Sequence, residues 1–249
     1  MRLVNNLYYY IWEGRGNNCN TYLFANVLRG DRPHVLIDPG HVVNELSERC
    51  LERLLQEMSK DGFQPEDVGL IINTHSHIDH CEANLAVVDR SRAKPSRSKA
   101  QQALIALHKE EDEYRKTSGR LLTRMLGKEV EFEPSFYLQE GELNLGKEES
   151  KLVLQVFHTP GHSPGSICLY WKEAKVLITG DLIFFGGVGR IDLPGGDGRL
   201  LKQSIERMSQ LEVEYLLPGH STELGSILRG KDKVARNFAL IRMNYLPLL

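Results

Sequence analysis

Leu70-Ile71-Ile72-Asn73-Thr74-His75-Ser76-His77-Ile78-Asp79-His80 runs from an apolar segment into three histidines and one aspartate. The apolar run has the length and composition of a buried strand. Where it ends, the chain presents three imidazoles and a carboxylate within six residues, a donor set suited to a borderline-soft divalent metal. In an extended chain, residues 75 and 77 point the same way, and Asp79 and His80 must turn elsewhere. One metal would not easily take all four, so the spacing points to two adjacent ions. A polar loop that is His-rich by accident would gather several desolvated groups without partners, which is costly.

Three further positions share this local context. His162 lies in Thr159-Pro160-Gly161-His162-Ser163-Pro164-Gly165, after a strand expected at Leu152–Phe157. Asp181 follows Thr179-Gly180, after a strand expected at Val176–Thr179, and His220 follows Pro218-Gly219, after one expected at Tyr215–Leu217. Each stands at a strand's C-terminal end beside a glycine, which lets backbone approach closely. Several strand ends delivering ligands to one rim would build a site from distant sequence.

Further strands are expected at Leu7–Trp12, Thr21–Ala25, Val35–Ile37 and Ile167–Trp171, and helices at Val43–Lys60, Ala100–Lys116, Leu121–Leu126, Arg199–Leu211 and Ser226–Asn244. In the first helix Leu46, Leu51, Leu54, Leu55 and Met58 share a face. The mixture suggests sheets covered by helices. The chain reads as one domain over 1–249, with a helical insertion at about 100–130 that could serve as a lid or a dimer contact through Leu104, Leu107, Tyr114, Leu121, Leu122, Met125 and Leu126. Arg90, Arg92, Lys94, Arg97 and Lys99 form a short basic stretch that reads as a solvated loop.

Composition narrows the class. The 249 residues are 41% hydrophobic and 26% charged, as in a soluble globular protein. A net charge of −2 argues against a surface built for a phosphate backbone, so nucleic acid is not an expected partner. No apolar run approaches the roughly 20 residues of a membrane span. The N-terminal stretch lacks the pattern of a secretory signal. Cys19, Cys50, Cys81 and Cys168 form no Cys-x-x-Cys pair, which excludes a thiolate zinc knuckle and suggests a reducing, cytoplasmic context.

With these motifs in their order, the sequence resembles the metallo-β-lactamase superfamily from about Cys19 to His220, including Val35-Leu36-Ile37-Asp38-Pro39-Gly40. Through Thr159–Ser166, Gly180-Asp181-Leu182-Ile183-Phe184 and Gly189–Gly196 it looks most like the glyoxalase II-like (hydroxyacylglutathione hydrolase-like) hydrolases. The resemblance implies an α+β fold, a four-layer αββα sandwich of two mixed sheets flanked by helices. It implies that His75, His77 and His162 bind one metal, that Asp79, His80 and His220 bind a second, and that Asp181 bridges them. The ions would most simply be zinc, with iron or manganese as the other candidates. Asp38 would orient a ligand imidazole from behind, and Arg190 would grip a substrate carboxylate.

The implied reaction is hydrolysis of a thioester or related ester-type bond in a small molecule by a metal-bridged hydroxide, with Asp79 orienting it and receiving its proton. True glyoxalase II proteins add a helical C-terminal domain that helps hold glutathione, whereas 29 residues follow His220 here, room for about one helix. Persulfide dioxygenases resemble the sequence at the same positions and use one iron, which here would sit on His75, His162 and Asp181. Phosphodiester cleavage and a non-catalytic, metal-stabilised interaction protein are the remaining readings. A homodimer is left open.

Overall fold

The computed structural model describes residues 1–93, 102–125, 127–128, 130–146 and 151–249. Lys94, Arg97, Lys99, Ala100, Leu126 and the side chains of Leu122 and Met125, all part of the expectations above, lie outside that description. The described residues form two compact units: Met1–Leu107 with Val130–Tyr137 and Asn144–Leu152, and His108–Glu129 with Leu138–Leu143 and Val153–Leu249.

The first unit is built on β1 (Arg2–Val4), β2 (Leu7–Tyr10), β3 (Thr21–Phe24), β4 (His34–Ile37), α1 (Cys50–Lys60), β5 (Val68–Ile72), α2 (Ile78–Cys81), α3 (Asn84–Arg92), β6 (Leu104–His108) and β7 (Phe136–Leu138). The strands make a seven-stranded sheet in sequence order. β2–β3 and β3–β4 are antiparallel; β4–β5 and β5–β6 are parallel, so the sheet is mixed. The apolar runs of β3, β4 and β5 are almost wholly buried, and for the parallel pair β4–β5 that is what covered faces require. Leu23, Leu36, Ile71 and Ile105 of the sheet pack with Leu51, Leu54 and Met58 of α1 and Val87 and Val88 of α3. Truncating a fully buried member such as Met58 would cost about 2–5 kcal/mol.

The second unit contains α4 (Lys109–Lys116), α5 (Ser118–Met125), β8 (Gly141–Leu145), β9 (Leu152–His158), β10 (Ile167–Trp171), β11 (Val176–Gly180), β12 (Ile183–Phe184), β13 (Gly187–Val188), α6 (Gly198–Met208), β14 (Tyr215–Pro218), β15 (Leu228–Arg229) and α7 (Lys231–Asn244). Its sheet runs β15-β14-β11-β10-β9-β8, with β11–β14 parallel and β9–β10 and β10–β11 antiparallel. Leu201, Ile205 and Met208 of α6 and Val234, Phe238 and Ile241 of α7 close over Tyr170, Leu177 and Leu216. The Asp197 carboxylate accepts from Leu200 N at 2.9 Å and so caps the start of α6. The chain is thus α+β, with two mixed sheets and flanking helices. Among the described residues, no helix is long and apolar enough to cross a membrane.

Three expected helices are corrected. The first begins at Cys50, not Val43, because Asn44 Oδ1 accepts from Leu46 N and Glu48 N and its amide donates to Glu48. That local network competes with helix, and Leu46 is 50% exposed instead of joining the buried face. Leu104–His108 is a strand: its run is buried and pairs in register with β5, and a short apolar run carries no period that separates strand from helix. Leu104 and Leu107 therefore belong to the sheet, and Tyr114 is also buried, so of the described side chains proposed for a lid or dimer face only Leu121 is strongly exposed. Ser226–Asn244 splits into β15 and α7 at Gly230, whose φ is +102°.

Candidate metal centre

In the first unit the donors come from the turn that follows β5. Asn73 is buried there; its amide donates to His80 O at 3.2 Å, and its Oδ1 accepts from Asn84 at 2.6 Å, tying the strand end to α2 and α3. The expected change of direction after His77 is made by α2, whose first turn carries Asp79 and His80. His75, His77, Asp79 and His80 are all buried. The His75 ring lies 4.8 Å from that of His77, edge-on, and 4.0 Å from that of His80.

Asp38, from the turn after β4, organises this group. Its Oδ1 accepts from Thr74 N at 2.8 Å; its Oδ2 faces Thr74 Oγ1 at 2.6 Å and His80 Nδ1 at 3.0 Å. A carboxylate only accepts, so both partners donate their protons to it. His80 is thereby held as the Nδ1–H tautomer, with the ring lone pair on Nε2. Thr74 Oγ1 has given its proton to Asp38, so toward His75 Nδ1, 3.2 Å away, it acts as acceptor, and His75 too keeps a lone pair on Nε2. A carboxylate behind an imidazole, fixing its tautomer and raising its basicity, is the support a metal ligand needs.

Two supports had no signal in the sequence. The Asn17 amide donates to Asp79 Oδ2 at 2.8 Å; Asn17 N is held by Glu45 and Gly16 N by Glu48. His41 Nδ1 lies 2.6 Å from Glu82 Oε2, which also accepts from Val42 N, fastening the turn after Asp38 to the end of α2.

In the second unit, parallel pairing of β11 with β14 sets Gly180 opposite Pro218, so the residues that follow, Asp181 and His220, emerge side by side. Gly219 N donates to Gly180 O at 2.7 Å. His220 Nε2 lies 3.4 Å from Asp181 Oδ2, and His162 Nε2 lies 3.5 Å from the same oxygen. His162 Nδ1 donates to Arg190 O at 2.8 Å, which turns Nε2 toward the Asp181 carboxylate. Two imidazole nitrogens and a carboxylate oxygen converging in this way are a donor set that a divalent cation would satisfy. Gly161 is at φ +138°, and a Cβ there would come within 2.2 Å of Leu201 N; a Cβ at Gly189 would meet Asp181 O at 1.8 Å. These are the close backbone approaches for which glycine is required. The loop carrying His162 is also clamped by Glu111 of α4, wholly buried, which accepts from Ser163 Oγ at 2.7 Å and Gly165 N at 2.8 Å.

Arg190 has its charge engaged locally. Its guanidinium is paired bidentately with Asp192, at 2.8 and 2.6 Å, on the surface. Its carbonyl, not its charge, serves His162. All four cysteines are buried and none is in a disulfide, and burial pushes the Cys168 thiol up to about 12, so it is no nucleophile at neutral pH. In each unit the donor set fits a divalent cation by its own chemistry: imidazole nitrogens, a carboxylate, and partners behind His75, His80 and His162.

The model of the Metallo-beta-lactamase superfamily matches residues 14–220. The chain is 31% identical over 231 residues to the probable metallo-hydrolase MJ0888 of Methanocaldococcus jannaschii, covering 91% of this chain and 96% of the relative. It is 30% identical over 225 residues to the acyl-coenzyme A thioesterase MBLAC2 of Homo sapiens, covering 85% and 76%. Among solved structures, TTHA1623 in a di-iron-bound form is similar with a TM-score of 0.62 and 29% identity, covering 93% of this chain and 95% of that one.

Proposed function

Because this chain belongs to the metallo-beta-lactamase superfamily and has its fold, we propose that it is a dinuclear, glyoxalase II-like metallo-hydrolase that cleaves a thioester bond in a small-molecule substrate. The family and its metallo-hydrolase relatives make it an enzyme of the metal-dependent hydrolase kind. The observation that carries the finer reading is the double support of the donors: Asp38 setting the His80 and His75 tautomers, and Asp181 standing between His162 and His220.

In this proposal His75, His77 and His162 hold one ion, Asp79, His80 and His220 hold the other, and Asp181 serves both. Bound there, two divalent ions supply an activated water near neutral pH and a Lewis acid for the carbonyl. The chain's own residues do the rest. Asp38 keeps the ligand rings oriented; Asn17 fixes the direction of the Asp79 carboxylate, which would orient the attacking water and receive its proton; Glu111 and the Arg190 carbonyl hold His162 in place. A substrate carboxylate would reach the Arg190 fork by displacing Asp192. The thioesterase relative supports a thioester over other acyl bonds. Zinc is the simplest pair of ions, and the di-iron relative makes iron the second candidate. Four buried cysteines, none of them in a disulfide, support a cytoplasmic setting.

The test is anaerobic turnover of a panel of acyl-coenzyme A and glutathione thioesters, lactones and phosphodiesters on protein of known metal content. Thioester hydrolysis without oxygen supports the proposal. Oxygen consumption on a persulfide by protein holding one iron would replace it with the dioxygenase reading.

A further inference from the structure

The second unit holds another group of side chains of metal-ligating type, none of them among the ligands assigned above. His108 ends β6 just ahead of α4, Glu110 lies in the first turn of α4, and His158 ends β9. The two imidazoles are stacked, with centroids 4.2 Å apart and planes at 16°. Glu110 Oε2 lies 3.8 Å from His158 Nε2. One donor atom from each of the three falls within 4.8 Å of the others.

The protonation pattern leaves lone pairs here. His158 Nε2 lies 2.9 Å from Pro164 O, a pure acceptor, so without metal that nitrogen carries the proton; ligation at Nε2, the atom beside Glu110, would give up that proton and the Pro164 bond, and ligation at Nδ1 would keep both. His108 Nδ1 is buried with no hydrogen-bond partner among the described residues. Burial, and next the adjacent His158, lower the His108 pKa, so its ring is neutral at pH 7 and suited to ligation. Glu140, the other carboxylate near His108, is committed to Arg207 and to His158 N, whereas Glu110 is exposed at the edge of the pair.

We propose that His108, His158 and Glu110 form a separate binding site for a single transition-metal ion, of which zinc is the type, with water completing a four-coordinate set. Ligation lies in the plane of each ring, so binding exchanges the ring stack for two nitrogen–metal bonds. The site would fasten the start of α4 to the end of β9, four residues before His162, without touching substrate.

The experiment titrates metal-stripped full-length protein with Zn²⁺ by calorimetry and counts bound zinc per chain in wild type, the H108Q/H158Q double variant and E110Q. The double variant is expected to bind one zinc fewer than wild type. E110Q, altered only at an exposed side chain, is expected to weaken that same zinc about tenfold or more. In wild type the ring proton signals of His108 and His158 are expected to shift as that zinc is added. Equal zinc counts in wild type and double variant overturn the proposal. Where circular dichroism shows the double variant unfolded, unmoved ring signals or an E110Q isotherm identical to wild type overturn it. Only the difference between variants is read, so failure of the hydrolase reading would be seen separately, as absent turnover with the difference intact.

Discussion

Replacing Asp38 by asparagine separates holding the fold from setting the metal ligands. Asp38 sits at φ +52°, a left-handed conformation that asparagine tolerates and most residues do not. The substitution is nearly isosteric, so neither cavity nor backbone strain is introduced. The amide keeps one acceptor oxygen for Thr74 N, but its NH₂ now faces Thr74 Oγ1 and His80 Nδ1, both donors to the native carboxylate. The hydroxyl relieves its conflict by rotating. The ring relieves its own by moving its proton from Nδ1 to Nε2, the atom required for ligation. A hydrogen bond to a charged group contributes ~1.5–3 kcal/mol, and with those two local relaxations the net loss of stability should be about 2–3 kcal/mol. That leaves a folded protein, since domains hold about 5–15 kcal/mol. Metal affinity should fall roughly 10–100-fold, the usual cost of removing a partner behind a ligand. The assay is thioester turnover against free metal concentration, with a denaturant melt alongside. D38N should reach near-wild-type turnover at metal concentrations shifted upward by that factor. A metal dependence identical to wild type in a folded D38N protein would refute the tautomer argument.

His77→Ala and Asp79→Ala should each remove most hydrolytic activity while circular dichroism shows a folded protein; normal turnover in both would sink the dinuclear assignment, and His77 is the sharper test because a single-iron site does not use it. Asn17→Ala should lower kcat about tenfold or more with little change in melting temperature, because Asn17 is exposed and its amide acts through Asp79; an unchanged kcat would remove it from the positioning machinery. Glu111→Gln keeps an acceptor but loses the charge that serves Ser163 Oγ and Gly165 N, and should cost about 1–3 kcal/mol in a denaturant melt while weakening metal binding through the His162 loop; unaltered stability would show the clamp to be idle.

The ligand-bearing turns were legible because each follows a short apolar run that could only be a buried strand, and because glycine or asparagine marks where the strand stops. β5, β11 and β14 match that reading to within two residues at either end, and β10 spans Ile167–Trp171 as expected. The supports around the ligands were illegible for a physical reason: their partners lie far along the chain. Asn17 meets Asp79 across 62 positions and Glu111 meets Ser163 across 52, and a single asparagine or glutamate in a polar stretch carries no period that announces it. Leu104–His108 misled because its apolar residues suit a helix as well as a strand, and pairing with β5 decided between them. Arg190 was singled out for its guanidinium, yet its carbonyl is what holds His162, a role that any residue type can fill.

The central claim, a two-metal hydrolase, is tested most directly by adding zinc or iron back to metal-stripped protein under anaerobic conditions and following thioester hydrolysis against metal bound per chain. Turnover should be negligible without metal and reach its plateau as a second ion is bound. Full activity with a single iron, or activity that appears only when oxygen is admitted and consumed, would contradict it.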